Sequence, residues 1–245
     1  MRLYLTALQF LTILPVRTSS RFEQNDLGRS TAWFPLAGLT IGSLLLLADY
    51  GLSPLFLLHL TDALLIALLA LLTGALHLDG LADVCDGMAA RGGKERFLAV
   101  MKDSRVGAVG VVGLVVGMGL KYAALLAVPA AIKWQALLLF PALSRCTMVL
   151  VMAGAKSARS NGLGAAFLSG IGRNQLLLAG LTVLPLCWLT VGIRGLVALL
   201  LAALWAMVVR FYFTRRLGGI TGDIVGFSGE TSEIICLLCL AQHAF

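Results

Sequence analysis

Six stretches of this chain, near residues 31–50, 55–76, 106–128, 134–153, 175–193 and 196–213, run without a persistent charge. Each is about twenty residues long, the length that crosses a hydrocarbon layer as a helix. In that layer the backbone must satisfy its own hydrogen bonds, which a helix does. The pattern therefore predicts an all-α, polytopic integral membrane helical bundle. A shorter apolar tail over 234–244 makes the count six to seven spans. With 59% hydrophobic residues and 27 glycines among 245, no length remains for a separate soluble domain, and residues 1–245 read as one domain.

The connections alternate in size. Residues 51–54, 129–133 and 194–195 are short, whereas 17–30, 77–105, 154–174 and 214–233 are long and polar. The long set carries thirteen Lys and Arg, from Arg17, Arg21 and Arg29 to Arg215 and Arg216, against Lys133 and Arg194 in the short set. By the positive-inside bias the long set is cytoplasmic. Ten of the twelve acidic residues lie there too, Asp49 and Asp62 being the exceptions. Any polar chemistry is expected on the cytoplasmic face of the inner membrane. The formal charge of +7 is scattered between apolar runs, which speaks for membrane orientation and against nucleic acid.

The five cysteines lie mostly inside apolar runs and form neither a disulfide framework nor a metal pattern; Cys236-Leu237-Leu238-Cys239 has no second pair. Leu3 to Leu14 follows Arg2 as a signal peptide would, but no small-residue cleavage site follows, so a retained interfacial or half-spanning helix is expected. Lys94 to Lys102 reads as a short amphipathic helix lying on the lipid surface. Gly107, Gly110, Gly113 and Gly117 share one helix face, where a neighbouring backbone can approach closely.

The densest polar cluster runs from His77 through Asp79, Asp83 and Asp86 to Arg91. At about 100° per residue the three aspartates fall within about 60° on a helix. Converging carboxylates repel unless a cation joins them, and such hard oxygens suit Mg²⁺ or Mn²⁺ rather than zinc. His77 points away from that face and has either a hydrogen-bonding or a catalytic role. A second cluster, Gly218 to Glu233, reads as a glycine-rich loop with a capped helix after it. Backbone N–H groups around Thr221 and Gly222 could meet an anion there, and Asp223 and Glu230, seven apart, could share a face. Asp103-Ser104-Arg105 precedes a helix start, a favourable place for phosphate.

Two cations sit inside spans. Lys121 shares the glycine face and either looks inward or snorkels. Arg145 lies mid-span, where a functional cation is the default, as a phosphate clamp or as half of an ion pair. Carboxylates for a divalent ion, buried cations and a glycine-rich loop together point to metal-dependent phosphoryl transfer on a partly lipid-associated substrate.

His77-Leu78-Asp79-Gly80-Leu81-Ala82-Asp83 through Asp86-Gly87, Asp103-Ser104-Arg105, Ser144-Arg145, and Thr221-Gly222-Asp223 through Glu230 and Glu233 resemble the adenosylcobinamide-GDP ribazoletransferase, or cobalamin-5′-phosphate synthase, family. Phe10 to Pro15 and Phe34-Pro35-Leu36 through Gly38 fit it as well. The resemblance implies that the 3′-hydroxyl of α-ribazole, or of its 5′-phosphate, attacks the cobinamide-side phosphoryl of adenosylcobinamide-GDP and expels GMP, with Mg²⁺ as cofactor. It implies catalysis by Asp79, Asp83, Asp86 and His77, and metal binding by those aspartates with Asp223 and Glu230. The residues read as binding substrate or its phosphates are Arg91, Asp103, Ser104, Arg105, Lys121, Arg145, Thr221 and Gly222. Membrane lipid is an expected partner, and a homo-oligomer is left open. One departure is Phe227-Ser228-Gly229, where the family tends to small apolar residues, which leaves the helix start before Glu230 open.

Two rivals share features. Asp83 to Arg91 fits the first half of the CDP-alcohol phosphotransferase signature, but the second half fails, because Asp103 is followed four residues on by Gly107. A cation transporter would hold its acids near the midplane on paired repeats, and here they lie at the boundary with no repeat visible.

Overall fold

The computed structural model describes residues 1–16, 26–159 and 163–242, so Arg17 and Arg21 of the basic count lie outside the described residues. Twelve α-helices follow one another among those residues: α1 (Arg2–Leu11), α2 (Asp26–Ser30), α3 (Phe34–Leu52), α4 (Leu58–Leu72), α5 (Leu76–Ala89), α6 (Lys94–Val100), α7 (Ala108–Leu126), α8 (Lys133–Met152), α9 (Leu163–Gly170), α10 (Arg173–Val191), α11 (Ile193–Leu217) and α12 (Gly222–Ala241). Among the described residues six helices are long and apolar enough to cross a membrane, and seven spans result if the bent pair α4–α5 counts as one. The protein is a multi-pass helical membrane bundle.

Helix α8 is the hub. It packs on α3, α10, α11 and α12, and most of its length is buried. The reason lies in its neighbours' small residues. A Cβ on Gly38 or Gly42 would run into the α8 backbone at Pro141–Ala142 or Leu137–Leu138, so α3 lies directly against it. On the periphery α7, α10 and α11 turn large apolar side chains outward, with Val115 67% and Leu189 79% exposed. A belt of this kind needs lipid rather than water.

Two departures from the sequence reading matter for the site. The second apolar run does not continue straight into the polar cluster, because Gly74 and Ala75 both adopt positive φ and α5 leaves α4 at 90°. The loop of the glycine-rich segment ends at Thr221, and the rest of the segment is helix. Helix α12 begins at Gly222, runs unbroken through Phe227-Ser228-Gly229 and carries Glu230 and Glu233 into the bundle, where both are buried. Its small residues allow that entry, since Gly226 and Gly229 face α5 and α8 at contact distance. The acids are tolerated because cations on α7 and α8 meet them, a pairing that reading along one dimension cannot see.

At the end of the bundle formed by the α3–α4 and α7–α8 turns, Lys133 sits 3.3 Å from Asp49 and 2.5 Å from Asp62. The two acids that the sequence separates from the rest thus share the one lysine on their own side.

Candidate active site

The site begins where α5 crosses α12. A Cβ on Gly80 would stand 3.1 Å from the Cα of Asp223, and one on Gly226 would stand 3.2 Å from the Cα of His77. Glycine at both positions lets the backbones touch, so the two polar clusters, more than a hundred residues apart in sequence, meet face to face. Beside the crossing lies a cavity of about 230 Å³ lined on its polar side by His77, Asp79, Ser157, Arg159, Thr221, Gly222 and Asp223. Its apolar wall includes Phe10, Phe34 and Phe167, whose rings lie 4.3–6.2 Å apart.

Thr221 starts α12. Its Oγ1 accepts from the Ile224 N–H at 3.3 Å and lies 3.3 Å from Asp223 Oδ2. This N-terminus opens on the cavity, where its free N–H groups favour negative charge. Asp79 is exposed and Asp83 half-buried, and among the described residues neither carboxylate has a hydrogen-bond or ion-pair partner. Asp83 feels the charges of Asp79, Asp223 and Asp86 together with the opposing charge of Arg159. Arg159 lies 3.1 Å from Asp223 Oδ2.

As a metal-binding set, the five acids expected from the sequence divide. Asp79, Asp83 and Asp223 are hard oxygen donors on one face with a single cation against them, and their chemistry fits a divalent ion, although among the described residues no three acids already stand close enough to ligate one. Asp86 does not belong with them. Its two oxygens accept the backbone N–H groups of Gly107 and Gly110, each at 2.7 Å, and so close the otherwise bare N-terminus of α7. Glu230 does not belong either, because it is buried and bound at 2.6 Å to Lys121.

The expected phosphate contacts divide in the same way. Lys121 looks inward, as its place on the glycine face allows, but it ends on Glu230 at 2.6 Å and Glu233 at 2.5 Å. Arg145 is wholly buried; its Nη1 lies 2.5 Å from Glu233 and its Nη2 3.4 Å from His77 Nδ1. Of the two readings for Arg145, the structure has the helix-to-helix pair, and neither cation lines the cavity. An arginine only donates, so Nδ1 of His77 accepts and its proton sits on Nε2. His77 is buried, its Nδ1 is within reach of Arg145, and it also lines the cavity.

Arg105 reaches Asp103 through Nε at 3.0 Å and Nη2 at 2.8 Å. That hydrogen bonding holds the Asp103 carboxyl down at about 2. The start of α7 beside them is filled by Asp86 rather than left for phosphate. Asp103, Arg105 and Asp86 line a second, more open cavity of about 610 Å³ with Arg96. Ser104 is exposed, and Arg91, exposed beyond α5, lines neither cavity. Thr221 and Gly222 are where the sequence puts them, on the cavity.

The glycine face of α7 does what its spacing predicts. Gly107 and Gly110 meet Asp86, Gly113 meets Cys85 and Gly117 meets Leu81, so α5 lies along it. What sequence reasoning missed is Arg159. Nothing local distinguishes it from the other basic residues of its segment; only a parallel bridge between Ser157 and Ile220 brings it beside Asp223. Phe167 was missed for the same reason.

Fold and site together define a polytopic membrane protein with an acidic cavity at a helix crossing, a polar pole and an aromatic pole. The family model described as cobalamin-5-phosphate synthase matches residues 3–241, and the chain belongs to that family of cobalamin-biosynthesis transferases. It is 52% identical over 240 residues to the adenosylcobinamide-GDP ribazoletransferase of Geotalea daltonii, covering 98% of this chain and 97% of the relative. The enzymes of that name from Stutzerimonas stutzeri and Clostridium tetani are 43% and 32% identical, with 97% and 96% of this chain and 96% and 94% of theirs covered. No solved structure matches the chain.

Proposed function

We propose that this chain joins adenosylcobinamide-GDP to α-ribazole or its 5′-phosphate, giving adenosylcobalamin or its 5′-phosphate and GMP. The ribose 3′-oxygen forms a bond to the cobinamide-side phosphorus, the bond from that phosphorus to the bridging oxygen breaks, and the hydroxyl proton is released. The observation that carries this reading is the crossing at Gly80 and Gly226, which sets His77 and Asp79 against Thr221, Gly222 and Asp223 on one cavity, with Asp83 close enough to feel the charges of Asp79 and Asp223.

Asp79, Asp83 and Asp223 would hold Mg²⁺, which when bound supplies charge neutralisation for the transferring phosphoryl group. Arg159 keeps Asp223 oriented on the cavity, and the N-terminus of α12 presents N–H groups to negative charge. The aromatic wall removes one side of the cavity from water. The thirteen-to-two basic bias supports a cytoplasmic position for this face in the inner membrane.

The test is purified protein in lipid with Mg²⁺, adenosylcobinamide-GDP and α-ribazole 5′-phosphate, with CDP-alcohol substrates in parallel. GMP release that stops with a chelator is expected; release of CMP instead would overturn the assignment. Orientation is read by replacing Gly92 with Cys on a cysteine-free background. Labelling from outside intact cells would reverse it.

A further inference from the structure

The fold consumes most of the cations that the sequence offers for a phosphate. Lys121 and Arg145 are held by Glu230 and Glu233, and Arg105 is paired with Asp103. None of them lines the cavity at the α5–α12 crossing. Among the described residues, the one Lys or Arg that does is Arg159.

Its geometry is half-committed. Nη1 lies 3.1 Å from Asp223 Oδ2, while Nη2 is buried and has no hydrogen-bond partner among the described residues. A guanidinium carries five donors and no acceptor, and a buried donor without a partner is costly, so Nη2 calls for an acceptor from outside the protein. The residue is also held in place. Ala158 N–H donates to Ile220 O and Ile220 N–H donates to Lys156 O, both at 2.9 Å, so Arg159 stands one residue beyond a backbone clip that fixes it to the start of α12.

We infer that Arg159 is the phosphate-binding cation of this cavity. It offers Nη2–H to a substrate phosphate oxygen while Nη1 stays on Asp223, and the planar fork serves both at once. The inference rests on the transferase reading above. The phosphate is either the 5′-phosphate of the ribazole nucleotide or the diphosphate of the GDP-linked substrate.

The experiment compares wild type, Arg159→Gln and Arg159→Lys as full chains in lipid, measuring KM separately for α-ribazole 5′-phosphate, α-ribazole and adenosylcobinamide-GDP. Arg159→Gln is expected to raise KM about tenfold or more for the substrate whose phosphate it holds, with partial recovery in Arg159→Lys. A rise for α-ribazole 5′-phosphate but not α-ribazole assigns the 5′-phosphate; a rise for adenosylcobinamide-GDP with either acceptor assigns the diphosphate. Either upholds the inference. Three unchanged KM values, even with lower kcat or thermal stability, would overturn it and leave Arg159 a structural partner of Asp223. If Arg159→Gln releases no GMP, equilibrium binding of the same three compounds to the purified variant is measured, and wild-type affinity for all of them overturns the inference. A wild-type protein that releases no GMP fails the transferase reading itself, and this inference with it.

Discussion

Two groups of charges lie a few helical turns apart on α12 and are treated in opposite ways. Deep in the bundle, Glu230 and Glu233 face Lys121 and Arg145, two negative charges against two positive, all buried and all paired. At the N-terminal end of the same helix, Asp223 and Asp79 line a cavity with Asp83 nearby, and among the described residues the one Lys or Arg lining it is Arg159. The first group is neutral within the protein and ties α7, α8 and α12 together. Counted as ionised, the second carries a formal excess of about two negative charges over Arg159, and this is the condition under which a cation from outside is recruited. Similar residue types therefore hold the fold in one place and are left free to bind in another, and counterion supply separates the two.

The largest effect should come from breaking the neutral group. Glu233→Gln leaves Arg145 without its carboxylate in a low-dielectric interior, a loss of about 3–5 kcal/mol, read as a sharp drop in thermal stability in lipid and in inserted protein. Adding Arg145→Met to Glu233→Gln should recover much of the stability. A stable Glu233→Gln protein with a selective loss of turnover would place the buried group in the chemistry instead.

Next in size is the open group. Asp79→Asn and Asp83→Asn should each lower GMP release at least ~10²-fold if these carboxylates hold the ion, while melting temperature and protein abundance stay near wild type. Near-normal turnover with ordinary Mg²⁺ dependence in Asp83→Asn would remove it from the site.

Asp86 tests the border between the groups. It lies on the same helix face as Asp79 and Asp83, yet it caps α7, so Asp86→Ala should cost about 1–2 kcal/mol of stability, the value of a lost cap, with turnover per folded molecule within a few-fold of wild type. A ~10²-fold fall in turnover without loss of stability would return Asp86 to the metal set. The smallest effect is expected for Arg145→Lys, which keeps the charge opposite Glu233. Turnover and KM should change by less than about tenfold, because the residue does not line the cavity; a large rise in KM at unchanged stability would revive the clamp.

The sequence by itself determined the class of the fold, since runs of about twenty uncharged residues leave the backbone little alternative to helix in lipid. It also determined the glycine face of α7, because a period of 3.6 residues is a local property. The partners of the polar residues were decided only by the tertiary structure. Asp79 and Asp86 have the same chemistry and share a helix face, and they part company because the N–H groups of Gly107 and Gly110 arrive beside one of them. Glu230 and Glu233 read as the end of a polar loop until Lys121 and Arg145 are placed against them. Arg159 had no local mark at all, and its role depends on a backbone clip to Ile220 some sixty residues away. A charge is described by what neutralises it, and in a helical bundle the neutralising group comes from another helix, at a separation in sequence that no local pattern encodes.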